Sequence, residues 1–186
     1  MTIKLVKPSL EYLPTYMQAL ERGWSPDNVR PAETIRAQLD AIDRDAAAFV
    51  ASLDDPEAKG GSITLPDGRQ VPRLPGYRRW MWDGELAGSI GFRWQKGTSE
   101  LPPHVLGHIG YAVVPWRRQR GYATQALALL LPEARALGLD YVEITAKPDN
   151  LPSQKVITAN GGVLVERFFE DAAYGGEESL RFRIVL

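Results

Sequence analysis

From Pro31 onward apolar side chains fall at alternating steps of four and three, at Ile35, Leu39, Ile42, Ala46, Phe49 and Leu53, with Arg36, Asp40 and Asp43 off that stripe. The spacing predicts an amphipathic helix with one face on a sheet. Before it, Ile3 and Leu5 alternate as a short strand that ends at Lys7-Pro8, and Ser9 can cap a helix carrying Leu10, Leu13, Met17 and Leu20. Between Asp54 and Gly76 the chain is punctuated by Gly60-Gly61, Pro66-Asp67-Gly68, Pro72 and Pro75-Gly76, which predicts loops and at most a short hairpin. Arg78 to Trp82 and Leu86 to Trp94 then read as two strands joined at Asp83-Gly84, and a third strand is expected from Val105 to Val114. The order that follows is helix (Gly121 to Leu137, kinked at Pro132), strand (Leu139 to Ala146), short helix (Pro152 to Asn160) and strand (Val163 to Phe169). Leu180, Phe182 and Ile184 alternate with Arg181 and Arg183 as a last amphipathic strand. Strands and helices mix without strict alternation, so the expected class is α+β with a mixed sheet, in one domain over residues 1–186.

Composition narrows the chemistry. The 186 residues carry 22 basic and 23 acidic side chains, a formal charge of −1, with no Cys and two His. A cysteine nucleophile, a disulfide scaffold and metal sites built on Cys are excluded, and no metal is expected. The near-neutral balance gives no electrostatic footprint for nucleic acid. No stretch approaches the roughly 20 apolar residues of a membrane span, and the N-terminus lacks an apolar signal core, so no membrane partner and a cytoplasmic location are expected.

The stretch that carries chemistry is Gly107 to Thr124, GHIGYAVVPWRRQRGYAT, which joins an apolar strand to a helix through a turn free of carboxylates. Backbone N–H groups at a helix start can hold a phosphate or pyrophosphate, and Gly121 lets a ligand approach the backbone. Arg117, Arg118 and Arg120 add positive charge. The same residues also fit a plain glycine turn with solvated arginines. G-x-G-x-x-G and G-x-x-x-x-G-K-[ST] are both absent, which removes the dinucleotide and phosphate-loop readings.

Tyr111 to Thr124 resembles the acetyl-CoA-binding segment of the GNAT acetyltransferases, with Arg118, Gly121 and Ala123 on its [QR]-x-x-G-x-[GA] pattern. Ile144 to Gly162 is similar to the next strand, helix and glycine turn of that family. The resemblance implies a mixed, mostly antiparallel central sheet flanked by helices, with strands splayed at the acetyl-CoA site. It implies acetyl-CoA as cosubstrate and no metal. Backbone groups at Val113 and Val114 would face the pantetheine arm, and Gln119, Arg120, Gly121, Tyr122, Ala123 and Thr124 would hold the pyrophosphate with Arg118. Asn150 and Ser153 would border the pantetheine, Asn150 being equally suited to cap a helix.

The implied reaction is direct attack on the thioester by a primary amine of a small molecule or peptide. His108 and Glu143 are candidate bases, each with a structural role as its alternative. Many family members place a tyrosine acid about seven residues after the Asn, where this chain has Ile157. Tyr111 or Tyr174 could replace it, or the thiolate could leave unassisted. Arg93 and Trp94 are candidate acceptor contacts, the cation favouring an anionic substrate, and the loop from Gly60 to Gly76 could cover that side. Trp24, Trp80, Trp82 and Trp116 fit either an acceptor pocket or the core. A non-catalytic CoA-binding module is the rival function, and edge strands near the C-terminus leave a homodimer open.

Overall fold

The computed structural model describes residues 2–65 and 67–186; Pro66, within the punctuated stretch, lies outside them. Strand β1 (Lys4–Val6) leads through a turn to α1 (Leu13–Glu21) and α2 (Pro31–Ser52). The chain then forms β2 (Asp54–Asp55), the small hairpin β3 (Ser62–Thr64) and β4 (Gln70–Pro72), and the long antiparallel pair β5 (Gly76–Trp82) and β6 (Leu86–Arg93). Next come β7 (Ile109–Val113), α3 (Tyr122–Ala136), β8 (Tyr141–Ala146), α4 (Leu151–Ala159), β9 (Val163–Phe169) and β10 (Glu178–Val185).

The strands do not close into one sheet. One sheet has the order β1-β5-β6-β7, with β2 also on β5; the other is β8-β10-β9, and every ladder is antiparallel. One core lies between both sheets and helices α3 and α4, with Ile90, Phe92, Ile109, Leu127, Leu130, Ile144, Ile157 and Phe182 all buried. A second lies on the other face of the first sheet, where Trp80, Leu86 and Val114 meet Tyr16, Leu20, Ile42 and Phe49 of α1 and α2. Tyr16 stacks on Trp80 at 4.5 Å. Burial of these large side chains, each contributing on the order of 2 kcal/mol, fixes α1 and α2 to the sheet.

Several boundaries differ from the sequence expectation. Ser9 starts a turn whose carbonyl accepts from the N–H groups of Tyr12 and Leu13, and the helix proper begins at Leu13. The α2 stripe is interrupted at Asp45, which leaves helical geometry (φ −161°, ψ 93°) and accepts from the Ala48 N–H at 2.9 Å, so its carboxylate caps the second half. The third strand starts at Ile109, because the segment from Pro102 to Gly107 runs as a loop. Helix α3 continues across Pro132 to Ala136. No helix among the described residues is long and apolar enough to cross a membrane.

Candidate functional site: a parted sheet and a phosphate-sized loop

The site forms where β7 and β8 part. At the closed end the His108 N–H donates to the Glu143 carbonyl at 2.8 Å, and the Glu143 N–H donates to the His108 ring Nδ1 at 2.9 Å. The imidazole thus takes a bond that a strand carbonyl would take in a continuous ladder. Gly107 makes that approach possible, since a Cβ there would stand 2.9 Å from the Glu143 carbonyl oxygen. Beyond this point, among the described residues, β7 pairs only with β6. Arg93 N–H donates to His108 O and Val114 N–H to Ala87 O, so alternation turns the backbone groups of Gly110 and Ala112 toward β6 and those of Tyr111 and Val113 toward the opening.

The opening leads to the turn before α3. A 3₁₀ turn at Pro115–Arg117 is followed by Gln119 and Gly121, both with positive φ (61° and 74°). No side chain caps α3, and the backbone N–H groups of Gln119, Arg120 and Gly121 have no acceptor among the described residues. Gly121 leaves the approach clear: a Cβ there would meet only the Gln125 amide, at 3.8 Å. A left-handed non-glycine residue at Gln119 costs roughly 1 kcal/mol and here aims successive amides into one concavity. Arg118 and Arg120 are exposed beside it, Arg118 Nε reaching Val113 O at 3.4 Å. Arg117 is turned away into an ion pair with Asp83 and Glu85, and the buried Tyr122 donates its hydroxyl to Asp83. That network pins the turn to the β5–β6 connection. Ala123 and Thr124 lie in the first turn of α3.

On the far side of the opening, α4 begins with Asn150 as its cap, Oδ1 accepting from the Ser153 N–H at 3.1 Å. Tyr111 spans from β7 to this helix, its hydroxyl 2.9 Å from Ser153 Oγ.

The sequence profile described as Acetyltransferase (GNAT) domain matches residues 36–163, which begins within α2 and takes in the parted strands, the loop and α4. The chain belongs to the GNAT acetyltransferase family. The GNAT fold is seen again in solved structures. The microcin C7 self-immunity acetyltransferase MccE, solved with acetyl-CoA and AMP, is 14% identical with a TM-score of 0.65, covering 100% of this chain and 93% of its own. The ribosomal L7/L12 α-N-protein acetyltransferase RimL, solved with coenzyme A, is 15% identical with a TM-score of 0.62 and coverage of 100% and 95%. A GNAT-family protein of Bordetella pertussis is 17% identical with a TM-score of 0.57 and coverage of 98% and 94%. Among curated proteins no sequence matches.

Within this GNAT domain the remaining candidates sit as follows. His108 is fully buried, and burial, opposed by the nearby Glu143 carboxylate, pulls its pKa down to about 4. Its Nδ1 is already an acceptor, and Nε2 is buried without a well-formed hydrogen bond. Glu143 is held by Arg181 at 3.1 Å and Arg183 at 2.7 Å. These three line a hollow of about 280 Å³ with Glu100, Pro102 and Tyr141 on the outer face of the second sheet. Burial pushes the Tyr111 hydroxyl up to about 12, against the lowering effect of Ser153. Ile157, at the place of the family's tyrosine, is buried against Gly162.

Trp94 is buried in the core between the sheets, stacked on Phe92 at 5.1 Å, while Arg93 points from the opposite face. Trp24 and Trp80 are core residues, and Trp116 lies under the Arg22 guanidinium. Tyr174 donates its hydroxyl to the His104 carbonyl. Arg78, Gly91 and Gly110 were not singled out from the sequence; they line up across β5, β6 and β7.

Proposed function

We propose that this protein transfers an acetyl group from acetyl-CoA to a primary amine of a small molecule or peptide, within one domain over residues 1–186. The observation that carries the reading is the continuity between the open edge of β7 and the uncapped loop at residues 119–121. An extended amide-bearing arm fits the edge, and a pyrophosphate fits the loop. The residues present suit the carrier: free amides, a glycine without steric cover, exposed Arg118 and Arg120, and no carboxylate in the turn.

When bound, acetyl-CoA supplies the activated thioester. The chain's own part is to bind and polarise. Backbone groups of Tyr111 and Val113 align the arm, the residues from Gln119 to Thr124 hold the diphosphate, and Asn150 fixes the start of α4 beside it. Tyr111 keeps its proton at neutral pH and acts as a hydroxyl donor on the α4 side. His108 and Glu143 act as positioning residues that hold the closed end of the strands together, and the incoming ammonium gives its proton to water in the open cleft.

Calorimetric titration with acetyl-CoA tests the site. Saturable binding is expected for the parent, and Gly121→Glu should remove it by filling the concavity with a like-charged side chain while the circular dichroism spectrum is kept. Unchanged affinity in that variant would count against the loop. Buried Ile157 favours a second reading, a CoA-binding module without turnover. Thiol release across a panel of amines separates the two, since the module binds acetyl-CoA and releases no thiol with any amine.

A further inference from the structure

On the face of the first sheet that carries α1 and α2, two arginines stand outside every ion pair among the described residues. Arg78, Gly91 and Gly110 are directly opposite one another on three adjacent strands, and Arg93 follows Gly91 by two positions, so all four share that face. Arg78 lies flat across Gly91: a Cβ on that glycine would be 3.5 Å from its Nη1 and 3.7 Å from its Cζ. Over Gly110 the same construction meets nothing within 4 Å, so the floor beside the open edge is bare. Among the described residues neither Arg78 nor Arg93 has an ion-pair partner, although half of the arginines of this chain do.

Polar groups of other elements border these arginines. Asn28, in the α1–α2 connection, donates to the Tyr111 carbonyl at 3.4 Å and walls one side. Asp27 is in electrostatic reach of Arg93, but its Oδ1 accepts from the Val29 and Arg30 N–H groups and its Oδ2 from Thr34. Its carboxylate is therefore committed to the start of α2. Arg93 reaches solvent while the protein around it and the like charge of Arg78 lower its affinity for its own proton. Tyr174, whose hydroxyl donates to the His104 carbonyl, is also in electrostatic reach of Arg93.

We propose that Arg78 and Arg93 seat an oxyanion of the acceptor, so that the amine substrate carries a carboxylate or phosphate group. This rests on the acetyltransferase reading, in which the acceptor meets the thioester at the open edge of β7. Two guanidiniums over exposed backbone bind planar or tetrahedral oxyanions in a way that one lysine cannot.

The test compares aminohexanoate, aminohexyl phosphate and hexylamine as acceptors, following thiol release for the parent, Arg78→Gln and Arg93→Gln, with acetyl-CoA titrated into each protein by calorimetry. The parent is expected to prefer one or both charged probes over hexylamine by about tenfold or more in kcat/KM, the better of the two naming the oxyanion. Each variant is expected to lose most of that preference while its acetyl-CoA titration stays that of the parent. Equal use of the three probes, or a preference that survives both substitutions, overturns the seat. If no probe releases thiol, the same probes are titrated into the CoA-loaded parent. Binding of a charged probe that hexylamine does not match, lost in the variants, upholds the seat while the transferase reading falls; no such binding removes both.

Discussion

His108 ties chemistry to position at the scale of a single side chain. Its neutral ring accepts the Glu143 N–H only while unprotonated, and burial keeps it so down to a pKa of about 4, against about 6.5 for an unfolded chain. The folded pKa lies below the unfolded one, so the contribution is complete above about pH 6.5 and is lost as pH falls toward 4. Across that interval the unfolded chain takes up a proton that the folded chain refuses, which amounts to about 3 kcal/mol. His108→Asn places an amide oxygen near the Nδ1 position and removes the titration. Urea midpoints measured at about pH 7 and pH 4.5 should therefore fall more steeply for the parent than for the variant, by an amount corresponding to about 2 to 3 kcal/mol. Parallel losses in the two proteins would show that the ring is not the titrating clip. A pH–rate profile of the variant that lacks an inflection present in the parent would return His108 to the role of base.

Strand pairing decides what the individual residues can do. Gly88 sits opposite Val113 where β7 leaves its neighbours, and a Cβ there would come within 2.4 Å of the Ala112 carbonyl oxygen and 3.0 Å of Val113 Cα. The contact is with backbone, so Gly88→Ala must push β7 sideways at the point that bounds the opening. A loss of about 1 to 3 kcal/mol in urea stability is expected, together with weaker acetyl-CoA binding by calorimetry. Lower stability with unaltered affinity would mean that the edge of β7 does not set the arm. These pairings also mark what could be read in advance. The loop from Arg118 to Ala123, the helix cap at Asn150 and the hairpin strands are local patterns of turn residues and alternation, and they were legible in the sequence. Trp94 and Arg93 adjoin in the sequence, yet adjacent strand residues face opposite ways; alternation alone carries the signal that one is core and the other lies on the α1–α2 face. The row of Arg78, Gly91 and Gly110 was not legible, because it depends on a register shifted by the irregularity between Met81 and Trp82. The burial of His108 depends on Gly107 admitting a strand from the other sheet, a contact 35 residues away in the chain.

Across the whole molecule the two sheets share one core through α3 and α4, yet between β7 and β8 the described bonds run through the His108–Glu143 clip at the closed end. The mixed layer architecture followed from the order of periodic segments, whereas the division into two sheets did not, since the sequence records strands and not which of their edges remain unpaired. A carrier lying along β7 and reaching the α3 turn and α4 would touch elements of both halves, so its binding free energy should be added to global unfolding. For a ligand that binds only the folded chain, a concentration of about 100 times Kd adds about 2.7 kcal/mol. For a chain of this size that corresponds to a rise of roughly 5 to 10 °C in Tm. Differential scanning fluorimetry with acetyl-CoA should show this increase as a single transition, and Gly121→Glu should abolish it. Pantetheine at the same concentration lacks the diphosphate and should give a much smaller shift, because the loop amides then remain unfilled. If pantetheine and acetyl-CoA raise Tm equally, the diphosphate makes no contact at residues 119–124; if acetyl-CoA splits the melt into two transitions, the carrier stabilises one sheet without the other.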